Sequence, residues 1–561
     1  MRKNYLVLLM LTLILLPALT FWHLALHPTY PAAPVVPERQ LSKKILLVPL
    51  DGRPPCQQFV IDAGRIAGFE IITPPSELQD YYSQPGDTEG LRQWLQTNAD
   101  GTDGIMLSID QLLYGGLLAS REKEKTPDEI QSMLQFLGDL HTACPDVPIY
   151  AFSILPRQTP PDTIDGYQER KDLLAYSRII GRQAVGLPID TDELTRLKAA
   201  IPPGSMNRYL ARFKENENLN RQLLQLTKNG VLSQLILGQD DGEPYSIPNI
   251  EKNQLRQFMK QLQLNQPQVF LTHGADEIAL SILAGIQNQQ TGFRPRILVR
   301  YNDTSTADCI MPYMAISTEE TVREKIALLG GTSVSTPEES DFTLLVSAND
   351  AEAGTMDSRR SIVRELQASR QTQQPTALVD LSKHFQAQET VLPLLIGTGY
   401  PLNTLIAYAG WNTTSNSVGT ALAQASLFIS ANRQATSRDE AIALTAANLT
   451  FLQNRIMEDY FYLKEDIDGI NQSLQKAGYI NTADLDLEHN WRWANAMLQQ
   501  ATERHLASYK HTKAFRTPTA FTAPAGNFSL MMQDMSVNVS YPWPRTFEIR
   551  LQTAPSFALS Q

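Results

Sequence analysis

What most limits the fold of this chain is a series of short apolar runs, each closing on polar residues and each followed by a longer helical pattern. In order they are KILLVPLD (44–51), FEIITPP (69–75), GIMLSID (104–110), VPIYAFSILPR (147–157), QLILGQDD (234–241), QVFLTHGADE (268–277), RILVRYND (296–303), FTLLVSAND (342–350), TALVDLS (376–382) and TLIAYAGWN (404–412). Runs this short, rich in Val, Ile and Leu and without alternation, read as parallel strands buried on both faces. The stretches between them are long enough for right-handed helical crossovers, so the chain is expected to be α/β. These ten runs are two more than an eight-stranded barrel uses. The length of the chain and the spread of polar strand ends lead us to expect a (β/α) barrel-like parallel core, with an open doubly wound parallel sheet as the alternative.

Around that core the sequence divides readily. Residues 28–42 are a Pro-rich linker and 43–430 the α/β domain. Within it, 158–230 form an insertion whose apolar residues fall at helical spacing. A helical region follows over 431–515, and 516–561 alternate like a small β segment. At the start of the chain Arg2 and Lys3 precede an apolar run of 22 residues, Tyr5 to Leu26, about the length that crosses a bilayer. Residues 1–27 therefore read as a signal anchor, with a cleaved signal peptide as the alternative. Either way the body is expected outside the cytoplasm, anchored to the cell membrane or secreted.

The formal net charge of −11 and the lack of a basic stripe exclude a nucleic-acid partner. Cys56, Cys144 and Cys309 are too few and too scattered for a disulfide framework or a zinc site, so no metal or cofactor is expected from them. Neither a phosphate-binding glycine loop nor a serine-hydrolase elbow occurs.

Polar and charged residues gather at the C-terminal ends of the runs, the edge where parallel α/β folds bind ligands. Asp51, Arg53, Asp110, Tyr114, Arg157, His273, Tyr301, Asn302, Asn349, Trp411, Asn412 and Asn416 are the candidate substrate-binding residues. Trp411 offers an aromatic platform and Asn412 and Asn416 neutral donors and acceptors, which suits a sugar. Arg53, Arg121 and Arg157 either clamp an anionic group or neutralise nearby acids. Asp240 and Asp241 are adjacent: two charges about 6 Å apart at an effective dielectric of about 20 repel by roughly 2.8 kcal/mol, or about two pKa units. One of the two is expected to keep its proton near neutrality.

Five segments go beyond a generic α/β pattern: VPLDGRP (48–54), SIDQLLYGGLLASR (108–121), GQDDGEPY (238–245), HGADE (273–277) and AYAGWNTTSNSVGTALA (407–423). Together they resemble the bacterial domain of unknown function 4127 family, from about Lys43 to PWPRTFE (542–548). Pro55 and Cys56 depart from that pattern. At the site level QDDGEP is similar to the paired-Asp turn of barrel glycosidases that cleave N-acetylhexosaminides, and HGADE to a strand end of the β-hexosaminidases. This resemblance implies Asp240, Asp241, Asp276 and Glu277 as catalytic acids, one orienting the substrate and the next donating a proton. The competing role for Asp276 and Glu277 is helix N-capping.

The function expected from the sequence is an exported, membrane-anchored glycosidase-like hydrolase of cell-envelope or extracellular glycans, with a glycan or other small polar substrate as partner. Two alternatives stand beside it. One is a non-catalytic glycan-binding scaffold; the other is a metal-dependent hydrolase that uses the same carboxylates with His273 as ligands.

Overall fold

The computed structural model describes residues 36–349 and 355–559. Each of the ten apolar runs carries a strand: β1 (Lys43–Val48), β2 (Phe69–Ile72), β3 (Gly104–Ser108), β4 (Ile149–Leu155), β5 (Gln234–Gln239), β6 (Val269–His273), β7 (Arg296–Tyr301), β9 (Phe342–Asn349), β10 (Thr376–Ser382) and β11 (Ala407–Ala409). A short β8 (Thr332–Val334) has no apolar run to announce it. At the C-terminus β12 (Thr519–Ala523), β13 (Gly526–Ser540) and β14 (Arg550–Leu559) follow.

The chain is an α/β protein with parallel sheets and flanking helices, and the expected barrel is corrected by the strand pairing. β1 to β6 form one parallel sheet in the order β2-β1-β3-β4-β5-β6, and β7 to β11 a second in the order β11-β10-β9-β7-β8. Among the described residues β6 pairs with β5 and with no strand of the second sheet, so neither sheet closes. The packing gives the reason. Ile45 and Leu47 face a core that also holds Ile297, Phe342 and Val379 of the second sheet, together with three helices, Gln58–Ala67, Ile278–Thr291 and Thr414–Gln434. Leu46 and Val48 point the opposite way, into a different core. Alternate residues of a strand thus serve two apolar layers, and the helical layer between the sheets keeps their edges apart. The helix Thr414–Gln434 is buried along Thr414–Ala431, as suits an element covered on every side.

Two features of this topology position the site. The strand order of the first sheet reverses between β1 and β3, which opens a crevice beyond their C-terminal ends. The antiparallel β13–β14 pair is joined by residues 541–549, which carry Trp543, Arg545, Phe547 and Glu548 to that crevice.

The expectation of membrane anchorage also needs correction. No helix among the described residues is long and apolar enough to cross a membrane, and the segment 1–27 on which the anchor was placed lies outside the described residues. Membrane attachment, the membrane as a partner and an envelope location therefore have no support in the fold.

Candidate functional site

The segment after β1 builds the floor of the site. Beyond Val48 the chain passes Asp51 and Arg53 and folds into a single tight turn, Pro54–Cys56, closed by the Cys56 amide donating to the Arg53 carbonyl at 3.1 Å. This turn brings Cys56 back over the acid three residues before Pro54. Asp51 is wholly buried, Cys56 nearly so, and Arg53 is 8% exposed.

The turn after β6 supplies the opposite wall. Gly274 has φ +97, and a Cβ there would lie 2.2 Å from Oε1 of Glu277 and 2.7 Å from Oγ of Ser415. Only glycine lets the strand end turn this tightly. The turn places Asp276 against Arg53, whose Nη2 is 2.5 Å from Asp276 Oδ1 and 2.6 Å from Asp51 Oδ2. Cys56 Sγ is 3.7 Å from the same Asp276 oxygen. Asn416, from the buried helix, donates to the other oxygen of Asp276 at 3.2 Å. Burial, with the negative charges of Asp51 and Asp240 nearby, raises the Asp276 pKa against the pull of Arg53. Burial and Asp51 push the Cys56 thiol well above its usual range.

Asp51, Cys56 and Asp276 each offer a ligand atom, and these atoms all lie within 4.8 Å of one another. Two carboxylate oxygens and a thiolate would form a donor set suited to a borderline divalent ion such as zinc. Arg53 now supplies the positive charge at these oxygens, so an ion and the guanidinium compete for one place. The donor types fit a divalent ion, which would have to displace the Arg53 guanidinium from Asp51 and Asp276.

That cavity measures ≈ 720 Å³ and reaches from Arg53 and Asp276 past Arg121, Arg157, Asp240 and Asp241 to Trp543 and Phe547. Asp240 and Asp241 stand together at the end of β5, yet they titrate apart. Arg121 holds Asp240 Oδ2 with two nitrogens at 2.5 and 2.9 Å, and the other Asp240 oxygen accepts the Asp241 amide at 2.8 Å. Burial works to raise the Asp240 pKa, but Arg121 and Arg157 outweigh it and hold the group below the ordinary carboxylate range. Burial and the charge of Asp240 lift Asp241 to about 7. A recess of ≈ 20 Å³ beside this pair, lined also by His273, Asp276 and Asn416, has room for about one water.

Of the expected catalytic acids, Asp240, Asp241 and Asp276 line the cavity. Glu277 does not; it is buried against Lys325, with Nζ 2.5 Å from its Oε1. It sits at the N-cap position of the helix Ile278–Thr291 without a side-chain capping bond. Among the expected binding residues Arg53, Arg157 and Asn412 line the cavity. Asp51 lies in the ion cluster below it. Asp110 is buried and accepts the Ile154 amide at 2.9 Å, and burial raises its pKa to about 7. Tyr114 is buried and donates to Glu215 at 2.7 Å.

Tyr301, Asn302 and Asn349 end strands of the second sheet outside the cavity, where Asn302 donates to Asn349 at 2.9 Å. His273 is 3% exposed, with Nδ1 2.9 Å from Glu324 and Nε2 2.7 Å from Lys252 Nζ, and so belongs to an ion network apart from the Asp–Cys–Asp cluster. Burial lowers its pKa. Among the described residues it is Cys56, not His273, that lies with two carboxylates, and sequence reasoning set Cys56 aside because the three cysteines are too few and too scattered for a zinc site. The one available hint was the crowding of Asp51, Arg53 and Cys56 into six residues.

The glycosidase expectation, with its glycan partner, is corrected by this geometry. The resemblance implied two orienting-and-donating acid pairs, whereas here the second pair is neutralised, Asp276 by Arg53 and the enclosed Glu277 by Lys325, and the four acids do not form one set. Trp411 is 2% exposed, wedged against Phe59 and Phe547 at centroid distances of 6.4 and 5.9 Å, and offers no open face to a sugar.

Comparison with known families matches residues 45–552 to the family described as "Protein of unknown function (DUF4127)", and the chain belongs to that family. No curated protein matches the chain.

Proposed function

We propose that this member of the family is a divalent-metal-dependent hydrolase whose ion is held by Asp51, Cys56 and Asp276. The observation that carries this reading is the convergence of two oxygen donors and one sulfur donor, from segments more than two hundred residues apart, within 4.8 Å at the base of the main cavity. An ion so held supplies Lewis-acid polarisation of the scissile group and eases the ionisation of water.

The remaining tasks fall to the chain itself. Asn416 fixes the orientation of Asp276 through its second oxygen. Arg121 keeps Asp240 ionised and stationary, and burial together with the charge of Asp240 keeps a proton on Asp241 up to about pH 7. Asp241 makes no side-chain hydrogen bond with a described residue and faces the cavity, so it is placed to give its proton to a leaving group. Burial of Asp240 and Asp276 strengthens these interactions.

The test is metal analysis of the purified full chain, followed by removal and return of zinc, manganese or magnesium during a screen of ester, amide and phosphoester substrates. Hydrolysis that disappears with chelation, returns with one ion and is lost in Asp51→Asn supports the reading. Full activity in the chelated protein, or no affinity for any divalent ion, removes it.

A further inference from the structure

Neutralisation around the main cavity is incomplete, and the residue left over says what the substrate carries. Arg53 is shared by Asp51, Asp276 and Glu548. Arg121 is taken by Asp240 and Arg545 by Glu548. On the acidic side Asp162 pairs with Arg170, and Glu122 accepts the amides of Asp162 and Thr163. Arg157 is different. Its guanidinium lines the cavity and makes no hydrogen bond or ion pair with any described residue; burial and the neighbouring Arg121 lower its pKa, against the more distant charges of Asp240, Asp241 and Asp162. Lys123, at the exposed rim of the same cavity, likewise has no side-chain partner among the described residues.

The backbone under Arg157 is held with unusual care for a surface loop. Arg212, 7% exposed on the inserted helix Pro203–Lys228, donates Nη2 to the carbonyls of Arg157 at 2.9 Å and Thr159 at 3.1 Å, and Nη1 to the carbonyl of Arg121 at 3.2 Å. One buried side chain therefore fixes both the end of the helix Leu117–Glu122 that carries Arg121 and the loop that carries Arg157. A largely desolvated guanidinium with no acceptor in direct contact leaves its donors unused, and its planar fork matches an oxyanion. The single cavity acid without a partner, Asp241, is neutral over much of the physiological range and does not fill that need.

We infer that Arg157, assisted by Lys123 at the rim and positioned by Arg212, binds an oxyanion of the substrate, a phosphate or a carboxylate group. The substrate class is then an anionic ester or amide whose charged group sits at Arg157 while its scissile bond lies toward Asp276. This inference rests on reading the cavity as the substrate site of the hydrolase proposed above.

The experiment is calorimetric titration of the chelated full chain with inorganic phosphate and, in a second arm, with acetate. Binding of either anion, weakened roughly tenfold or more in Arg157→Gln and largely kept in Arg157→Lys, is the expected result. Phosphate binding assigns the oxyanion to a phosphate, and acetate binding alone assigns it to a carboxylate. Failure of both anions to bind, or binding that Arg157→Gln leaves unchanged while circular dichroism shows a folded variant, overturns the inference. Because the chelated protein is used, the outcome is independent of whether Asp51, Cys56 and Asp276 hold an ion.

Discussion

Nη2 of Arg53 stands 2.5 Å from Oδ1 of Asp276, although 223 residues separate them. The same guanidinium lies 2.6 Å from Asp51, so one cation balances two buried carboxylates on which the proposed ion also depends. Arg53→Gln is expected to destabilise the chelated protein by about 3–5 kcal/mol, since it strands buried charge. Zinc should then raise the melting temperature of the variant more than that of the parent, because the ion no longer competes with a guanidinium. A zinc response no larger in Arg53→Gln than in the parent would count against a shared place.

In the proposed site Cys56 would bind an ion as thiolate, yet burial and Asp51 hold the thiol well above its usual pKa. Zinc binding should therefore release a proton, and affinity should climb about tenfold per pH unit between about pH 6.5 and 8.5. Titration in buffers of different ionisation enthalpy measures the proton count. Cys56→Ser is expected to weaken zinc binding and flatten its pH dependence.

In the proposed mechanism Asp241 would act in its protonated form, and its pKa is lifted to about 7. Hydrolysis should accordingly fall as pH rises above about 7. Asp241→Asn is expected to lower the rate by about 10²–10⁴ and to abolish that alkaline limb. A variant that keeps the limb would assign the proton to another group.

Lys325 and Glu277 form an ion pair with both side chains about 1% exposed. Lys325→Met deprives the buried Glu277 carboxyl, Thr272 and the His273 carbonyl of their donor, at a cost of about 3–5 kcal/mol by urea denaturation whether Glu277 stays charged or takes up a proton. The double variant with Glu277→Gln should regain most of that loss. If the single variant is as stable as the parent, the pair is not the buried contact described.

Asp110, raised to about 7 by burial, gives a pH-dependent stability whose sign follows from linkage. Between about pH 4 and 7 the folded chain keeps a proton that the unfolded chain has released, so this group's contribution falls as pH rises through that window and levels off above it. Asp110→Asn can still accept the Ile154 amide. It should be more stable than the parent at pH 8 by about 1 kcal/mol or more, with the difference vanishing near pH 4. Equal slopes of melting temperature against pH in the two proteins would refute this.

Much of this architecture was written locally. Runs such as Ile45–Val48 and Phe342–Val346 mark strands because apolar residues there fill two layers at once, and a strand buried on both faces leaves an unbroken apolar signature. The adjacency of Asp240 and Asp241 was enough to anticipate that they would not share one pKa. β8 escaped because its side chains are largely exposed and so impose no apolar pattern.

What sequence by itself determined was therefore the α/β class, the positions of the strands and the family, all set by residues within a few positions of one another. Tertiary structure alone decided that the sheets stay open, that Trp411 is enclosed, that His273 joins Glu324 and Lys252, and that Cys56 meets Asp51 and Asp276. The physical reason is range. Apolar periodicity is a property of neighbouring residues, whereas the partner of a charge depends on distance in space, and Coulomb energy changes severalfold with a few ångströms and with the burial that packing imposes.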